Sequence, residues 1–521
     1  MWGSRSSRTV VIGVAVAVFV AASVLPLGYM LARFAAAESG SAAVLLDARQ
    51  RTLLFNTALL GAGTALLATL IGAPLGLALA RVAVPWKAAL RLALAAPLAL
   101  PPYVVALAWV HLTGPAGPVA SALGPNVLSA WTYSLPAAIL VLGLVLYPLS
   151  MLASEVAFRR IEPRLEEAGL VVAPPGRVLR RISLPLAVPS VAAAALVVFV
   201  LAVSEFGVPG LLRVRVFTTE IFTAFAALYD FGRATLLALP LLALSTLAAA
   251  VAIRLVSGQR VVSRRGTDGS QPLPLGGWER RTYVAAAFVL AIALVTPIAV
   301  LTWDAMGVST NVFQGSRLAA RNSLVLAAVG ASFVTLVAVW LGYGRARVRY
   351  RLGAAIDVLC VVLFAAPSTV VGVGLIGLWN RDGVLGGVYG TDGMLLLASL
   401  ARFLPVAVLL LAGAVRYVPV SHEEAAAAAG AGWWRAMTRI VLPQVGPGLL
   451  STWIVVFVLA FGELGASILV APPGETTLPI RTYTLVANAP PAELAALALL
   501  QSGVVLSPLA LLGLGLAWRT R

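Results

Sequence analysis

The chain of 521 residues contains one cysteine, two histidines and few charged residues of any kind. The single Cys360 excludes an internal disulfide and a cysteine-rich zinc site, and His111 and His422 lie too far apart in sequence for metal-ligand spacing. No acid/base pair or nucleophile arrangement emerges, so neither a catalytic residue nor a metal is expected. No Gly-x-x-x-x-Gly-Lys-Ser/Thr phosphate loop occurs, which excludes the usual mode of ATP binding by this chain. Charged residues make up 11% and apolar residues 60%, against roughly 25% and 45–50% in soluble domains. That is too little charge to cover a water-facing surface, so most of the exterior faces lipid. The net charge of +17 is scattered rather than clustered. It reads as the loop bias of a membrane protein, not as a nucleic-acid surface.

What is present is a series of apolar runs long enough to cross a bilayer, which takes about 20 residues. They are 9–32, 52–80, 92–154, 182–204, 234–253, 282–303, 322–344, 358–380, 440–462 and 494–518, with one more at about 393–415 interrupted by Arg402. The longest holds two spans, divided by the turn-rich piece from Gly114 to Asn126. The expectation is an all-α polytopic membrane protein with about twelve transmembrane helices. An N-terminus in the cytoplasm places 26 Lys and Arg residues inside, 10 outside and Arg402 within a span. Both termini are therefore expected on the cytoplasmic side of the cell membrane. The first run, although followed by the cleavage-like Ala35-Ala36-Ala37, is longer than a signal-peptide core and is expected to be retained.

The chain repeats itself. Val198–Gly207 recurs as Val456–Gly465 with seven of ten positions identical, at an offset of 258. Asn56 and Asn322, Gly76 and Gly342, Pro101 and Pro367, Val104 and Val370, and Val105 and Val371 share an offset of 266. A fixed register around Asn, Gly and Pro indicates duplication. Six spans per half is an even number, so the repeats are parallel. The halves are expected at 1–256 and 282–521, joined by a polar cytoplasmic linker at 257–281.

The loop after the fourth span of each half, about 159–187 and 417–445, has a common design. Each starts with an acidic helical stretch, breaks, resumes as a short basic amphipathic helix, and is expected to stop at Leu184-Pro185 or Leu442-Pro443. An acidic start, a glycine six residues later and a Leu-Pro ending resemble the EAA loop of importer-type ABC transporter permeases. The second copy carries Glu424, Ala425, Ala426, Gly430, Leu442 and Pro443. The first carries Glu166 and Ala168 but has Glu167 at the first alanine position and Val172 at the glycine position. Its break comes from Pro174, Pro175 and Gly176.

The resemblance implies a coupling loop that inserts a helix into a groove on an ATP-binding subunit, the helix-in-groove mode of recognition. It implies a separate ATPase present as two identical copies, which binds the ATP, and an extracytoplasmic binding protein that delivers substrate. The fused halves, Glu205-Phe206-Gly207, Glu463-Leu464-Gly465 and Phe217–Phe222 are similar to ferric iron permeases, with thiamine, phosphonate and polyamine permeases as relatives. The competing class is a twelve-span secondary transporter, which would not explain two Leu-Pro loops after spans four and ten. A purely lipid-facing role for such basic loops is the plainer alternative.

Charges inside the spans are costly and mark pathways or partners. Glu205 and Glu463 fall in the outer half of the bilayer, where they either flank the translocation path or bond neighbouring backbone. Arg402 either pairs with one of them or reaches the outer interface. His111 and Cys360 are expected to be ordinary packing residues.

Overall fold

The computed structural model describes residues 2–35, 47–115, 117–119, 130–257, 277–307, 311–348, 350–383, 385–474 and 477–519. The linker is described only at its ends, and Ala36, Ala37 and most of the piece from Gly114 to Asn126 lie outside these residues. Helices dominate, with no strand among the described residues. Ten helices are long and apolar enough to span: Ser7–Ala32, Ala48–Arg81, Leu135–Arg159, Pro175–Ser204, Phe231–Leu255, Trp278–Ala305, Gly315–Arg347, Gly393–Arg416, Trp433–Phe461 and Pro491–Pro508.

The third and ninth spans are not single straight helices. They are bent pairs, Lys87–Ala99 with Pro102–Thr113 at 83° and Arg351–Ala365 with Ser368–Trp379 at 95°. The breaks fall at Pro101 and Pro367, each extended in ψ. Proline has no N–H to donate and disfavours helix in the residue before it.

The first pair still crosses. The fourth span, 25 residues long and so about 37 Å, serves as the ruler. Near its C-terminal end Glu155 pairs with Arg91 at 2.7 Å. Halfway along, Tyr147 donates to the Leu94 carbonyl at 2.8 Å. Just before its N-terminal end, Thr132 donates to the Thr113 carbonyl at 2.9 Å. The pair therefore begins beside one end of the fourth span and finishes beside the other. In the ninth span, Asp357 meets Arg345 and Arg416 at the ends of the eighth and tenth spans, while residues 364–366 lie beside mid-span Arg402. Counting each pair as one span, there are up to twelve among the described residues.

Four further prolines are accommodated without a break. Leu25-Pro26, Leu184-Pro185, Thr296-Pro297 and Leu442-Pro443 each follow one π turn, in which the residue before proline donates five positions back. Proline would clash with the carbonyl four residues earlier, and the wider turn relieves this. The Leu-Pro pairs thus do not stop the loop helices as expected. Each loop helix runs through its π turn into the fifth or eleventh span.

Two compact units result. One comprises Met1–Leu45, Ile221–Leu242 and Gly315–Arg481; the other comprises Leu46–Glu220, Ala243–Gln314 and Thr482–Arg521. Neither coincides with a sequence half. In the one unit, the first span packs on second-half helices, with Gly374 against the backbone of Pro26. In the other, the seventh span packs on first-half helices, and Tyr283 donates to the Pro85 carbonyl at 2.6 Å.

Candidate functional site

The first loop opens with the helix Pro163–Val172, where proline at the first position suits a helix start. Glu166 is buried on its inner face. Ser183 donates to one carboxylate oxygen at 2.6 Å, and Arg81 Nη2 lies 3.0 Å from the other. Arg81, the last residue of the second span, is itself fully buried, and the same nitrogen donates to the Phe158 carbonyl at 2.6 Å. Glu167, Ala168, Val172 and Gly176 face outward, and Val171 and Val172 are more than 80% exposed. The chain turns at extended Ala173 and Pro174 before the helix Pro175–Val178 resumes. Leu184 and Pro185 are exposed.

The second loop opens with Val420–Ala428. Here Glu423, not Glu424, turns inward. Arg347 donates to it through Nε at 2.9 Å and Nη2 at 2.6 Å, and Tyr343 donates to its other oxygen at 2.7 Å. Arg347 ends the eighth span and also donates to the Val418 carbonyl at 3.0 Å. Glu424 and Ala425 are exposed, and Ala426 is buried. Gly430, at φ 78°, makes the turn that ends the helix, a conformation glycine adopts without a β-carbon penalty. Trp433 and Trp434 then pack around Trp340. Pro443 is exposed and Leu442 half-buried.

Sequence reasoning missed Arg81 and Arg347, treating them as loop charge. They stand at the offset of 266 already established by Asn56 and Gly76, and that register was the available signal. The shift from Glu424 to Glu423 also has a local cause. Glu166 and Glu423 are each the fourth residue of their loop helix, so the helix start selects which carboxylate faces inward. The motif alignment, one residue later, does not.

The charges within the spans bond to main chain. Glu205 accepts from the Gly207 N–H at 2.9 Å, and Glu463 accepts from the N–H groups of Ala466 and Ser467, each at 2.8 Å. Arg402, for which a glutamate partner or an interface position was expected, is buried and donates to the Phe364 and Ala366 carbonyls. These are groups freed by the break in the ninth span, and a helix end in hydrocarbon needs such a donor. Cys360 is a buried packing residue. His111 is more than that: it lies 2.7 Å from Asp304, a partner the sequence did not suggest, in a cavity of about 590 Å³ that Arg213, Tyr133 and Tyr483 also line. Among the described residues no three His, Cys, Asp or Glu side chains are grouped to hold a metal.

The arrangement therefore offers two exposed helix-turn-helix loops, each braced to a membrane span by a glutamate–arginine pair. Comparison with known proteins bears on the chain as a whole. Residues 334–516 match the family described as binding-protein-dependent transport system inner membrane component. The Fe(3+)-transport system permease protein FbpB 2 of Haemophilus influenzae is 25% identical over 473 residues, covering 88% of this chain and 89% of that protein. A putative ABC transporter permease protein, ORF1, of Streptomyces antibioticus is 34% identical over 163 residues, covering 31% of this chain and 69% of the relative. The molybdenum transport system permease protein ModB of Mycobacterium bovis is 28% identical over 259 residues, covering 47% of this chain and 95% of the relative.

Proposed function

Since the chain belongs to the inner-membrane permeases of binding-protein-dependent ABC importers, we propose that it forms the membrane pathway for ferric iron. The permease is a multi-pass transport subunit. Members of this family work with an ATPase and a substrate-binding protein. In our reading the ATPase is a homodimer, docked on the loops at 159–187 and 417–445, which face the cytoplasm with both termini. The observation that carries this reading is the duplicated loop, with exposed Glu167, Ala168, Glu424 and Ala425 beside an anchored glutamate. Ferric iron is favoured because the Fe(3+) relative extends over most of the chain. Glu205 and Glu463, both partly exposed, are assigned to the outer part of the path, where their charge suits a cation.

The test is uptake of radiolabelled ferric iron by cells with and without this chain, beside parallel uptake of molybdate, thiamine, phosphonate and spermidine. Iron uptake should depend on the chain; dependence of another substrate instead would overturn the ferric assignment. Purified chain in liposomes without the ATPase should accumulate nothing. Uptake driven by an ion gradient alone would return the protein to the secondary transporters.

A further inference from the structure

We propose that Arg81 and Arg347 are positioning residues that brace each coupling loop to the second or eighth span, so that a displaced loop moves two spans instead of one. The inference rests on the importer reading above and adds to it the route by which force leaves the loop.

Each loop has two helices with different attachments. The second helix is continuous through its π turn with the fifth or eleventh span, so it already moves with that span. The first helix, Pro163–Val172 or Val420–Ala428, is joined to the preceding span only by three residues. Ser183 also ties Glu166 to the second loop helix, but neither that bond nor the joint reaches the second or eighth span. The arginines supply that link by making the same three-way contact in both repeats. Arg81 joins the second span to the Phe158 carbonyl and to Glu166. Arg347 joins the eighth span to the Val418 carbonyl and to Glu423. In both arginines one nitrogen, Nη2, bridges the carbonyl and the carboxylate, and at Arg347 Nε adds a second bond to Glu423 that the single ammonium of a lysine would not supply.

The duplication argues against accident. The glutamates do not occupy aligned positions, yet each reaches the arginine at the shared offset of 266. The braces are not equally buried. The Arg81 and Glu166 side chains are 0% and 5% exposed, those of Arg347 and Glu423 10% and 17%, and Tyr343 shares Glu423.

The test uses the full complex of chain, ATPase and binding protein in nanodiscs. Arg347→Met/Glu423→Leu and Arg81→Met/Glu166→Leu remove both charges together, since apolar replacement of a buried pair is tolerated where removal of one partner is not. Arg347→Lys keeps the charge without the fork and covers the case in which an apolar pair fails to fold. The measurements are thermal stability, assembly, ATP hydrolysis with and without binding protein, and ferric iron transported per ATP. We expect assembled complexes that still hydrolyse ATP but transport roughly tenfold less per ATP, within the range of coupling factors between linked sites, with the lysine variant in between. Wild-type transport per ATP in the folded variants would overturn the brace. A wild-type complex whose hydrolysis ignores the binding protein would instead overturn the importer reading, and the brace with it.

Discussion

Gly76 in the second span lies against the backbone of Met151 in the fourth, so closely that a β-carbon on Gly76 would sit 2.3 Å from the Met151 carbonyl oxygen. Its repeat counterpart Gly342 faces the tenth span, where a β-carbon would meet the Ala412 nitrogen at 2.9 Å. Small residues allow such close helix crossings in a membrane. Gly76→Ala is predicted to force the helices apart and cost about 1–3 kcal/mol, as overpacking does, and Gly342→Ala to cost less. Thermal unfolding of the detergent-solubilised chain checks this; equal melting of both variants and the wild type would refute it.

Arg402 supplies the donors at the ninth-span break. Arg402→Met keeps the length and apolar stem but leaves the Phe364 and Ala366 carbonyls short of a partner. The predicted loss is about 1–3 kcal/mol, the cost of an unmade buried hydrogen bond. In the first half the Tyr147 hydroxyl does the equivalent work at Leu94, so Tyr147→Phe is predicted to destabilise in the same direction. Unfolding midpoints unchanged in both variants would count against the break-capping role.

Glu205 and Glu463 carry two roles that substitution separates. Glu463→Ala removes the acceptor for the Ala466 and Ser467 N–H groups and is predicted to cost about 1 kcal/mol, as losing a helix cap does. The double change Glu205→Gln/Glu463→Gln keeps a carbonyl acceptor at each position and removes the charge. Ferric iron uptake is predicted to fall in that variant while assembly and basal ATP hydrolysis persist. Normal uptake would leave both residues as caps of the local backbone and nothing more.

Glu424 and Gly430 test docking apart from folding. Glu424 is exposed while its neighbour Glu423 holds the loop, so Glu424→Ala is predicted to weaken ATPase binding without lowering the melting temperature. Gly430 is left-handed, and a side chain there costs roughly 1–2 kcal/mol. Gly430→Pro, whose ring also cannot reach positive φ, should distort the turn and impair assembly. Pull-down of the ATPase on the chain gives the answer. Undiminished capture by the combined Glu424→Ala/Gly430→Pro variant would remove these residues from the interface.

Which parts of this were readable from the residues follows from the range of the forces involved. Lipid exposure, ten to twelve crossings and the duplication depend on composition and periodicity, because a bilayer demands apolar length wherever the helix sits. The Leu-Pro pairs and Pro101 and Pro367 were visible too, but not their opposite outcomes. Proline costs the helix one hydrogen bond in either case. The helix widens at Pro185 and breaks at Pro367, where Arg402 of a neighbouring span donates to the freed carbonyls, and that neighbour is set by tertiary packing.

The glutamate that anchors the second loop shows the same divide at finer grain. Sequence alone determined that an acidic helix start recurs in both loops, since like residues recur in register. Only the tertiary structure decided that Glu423 rather than Glu424 faces inward, that Arg81 and Arg347 receive the carboxylates, and that His111 meets Asp304 from a helix 193 residues away in sequence. A helix places successive residues on different faces, so one residue of phase decides between solvent and partner. That phase is set by where the helix begins and what packs against it, and neither is written in any short stretch of the chain.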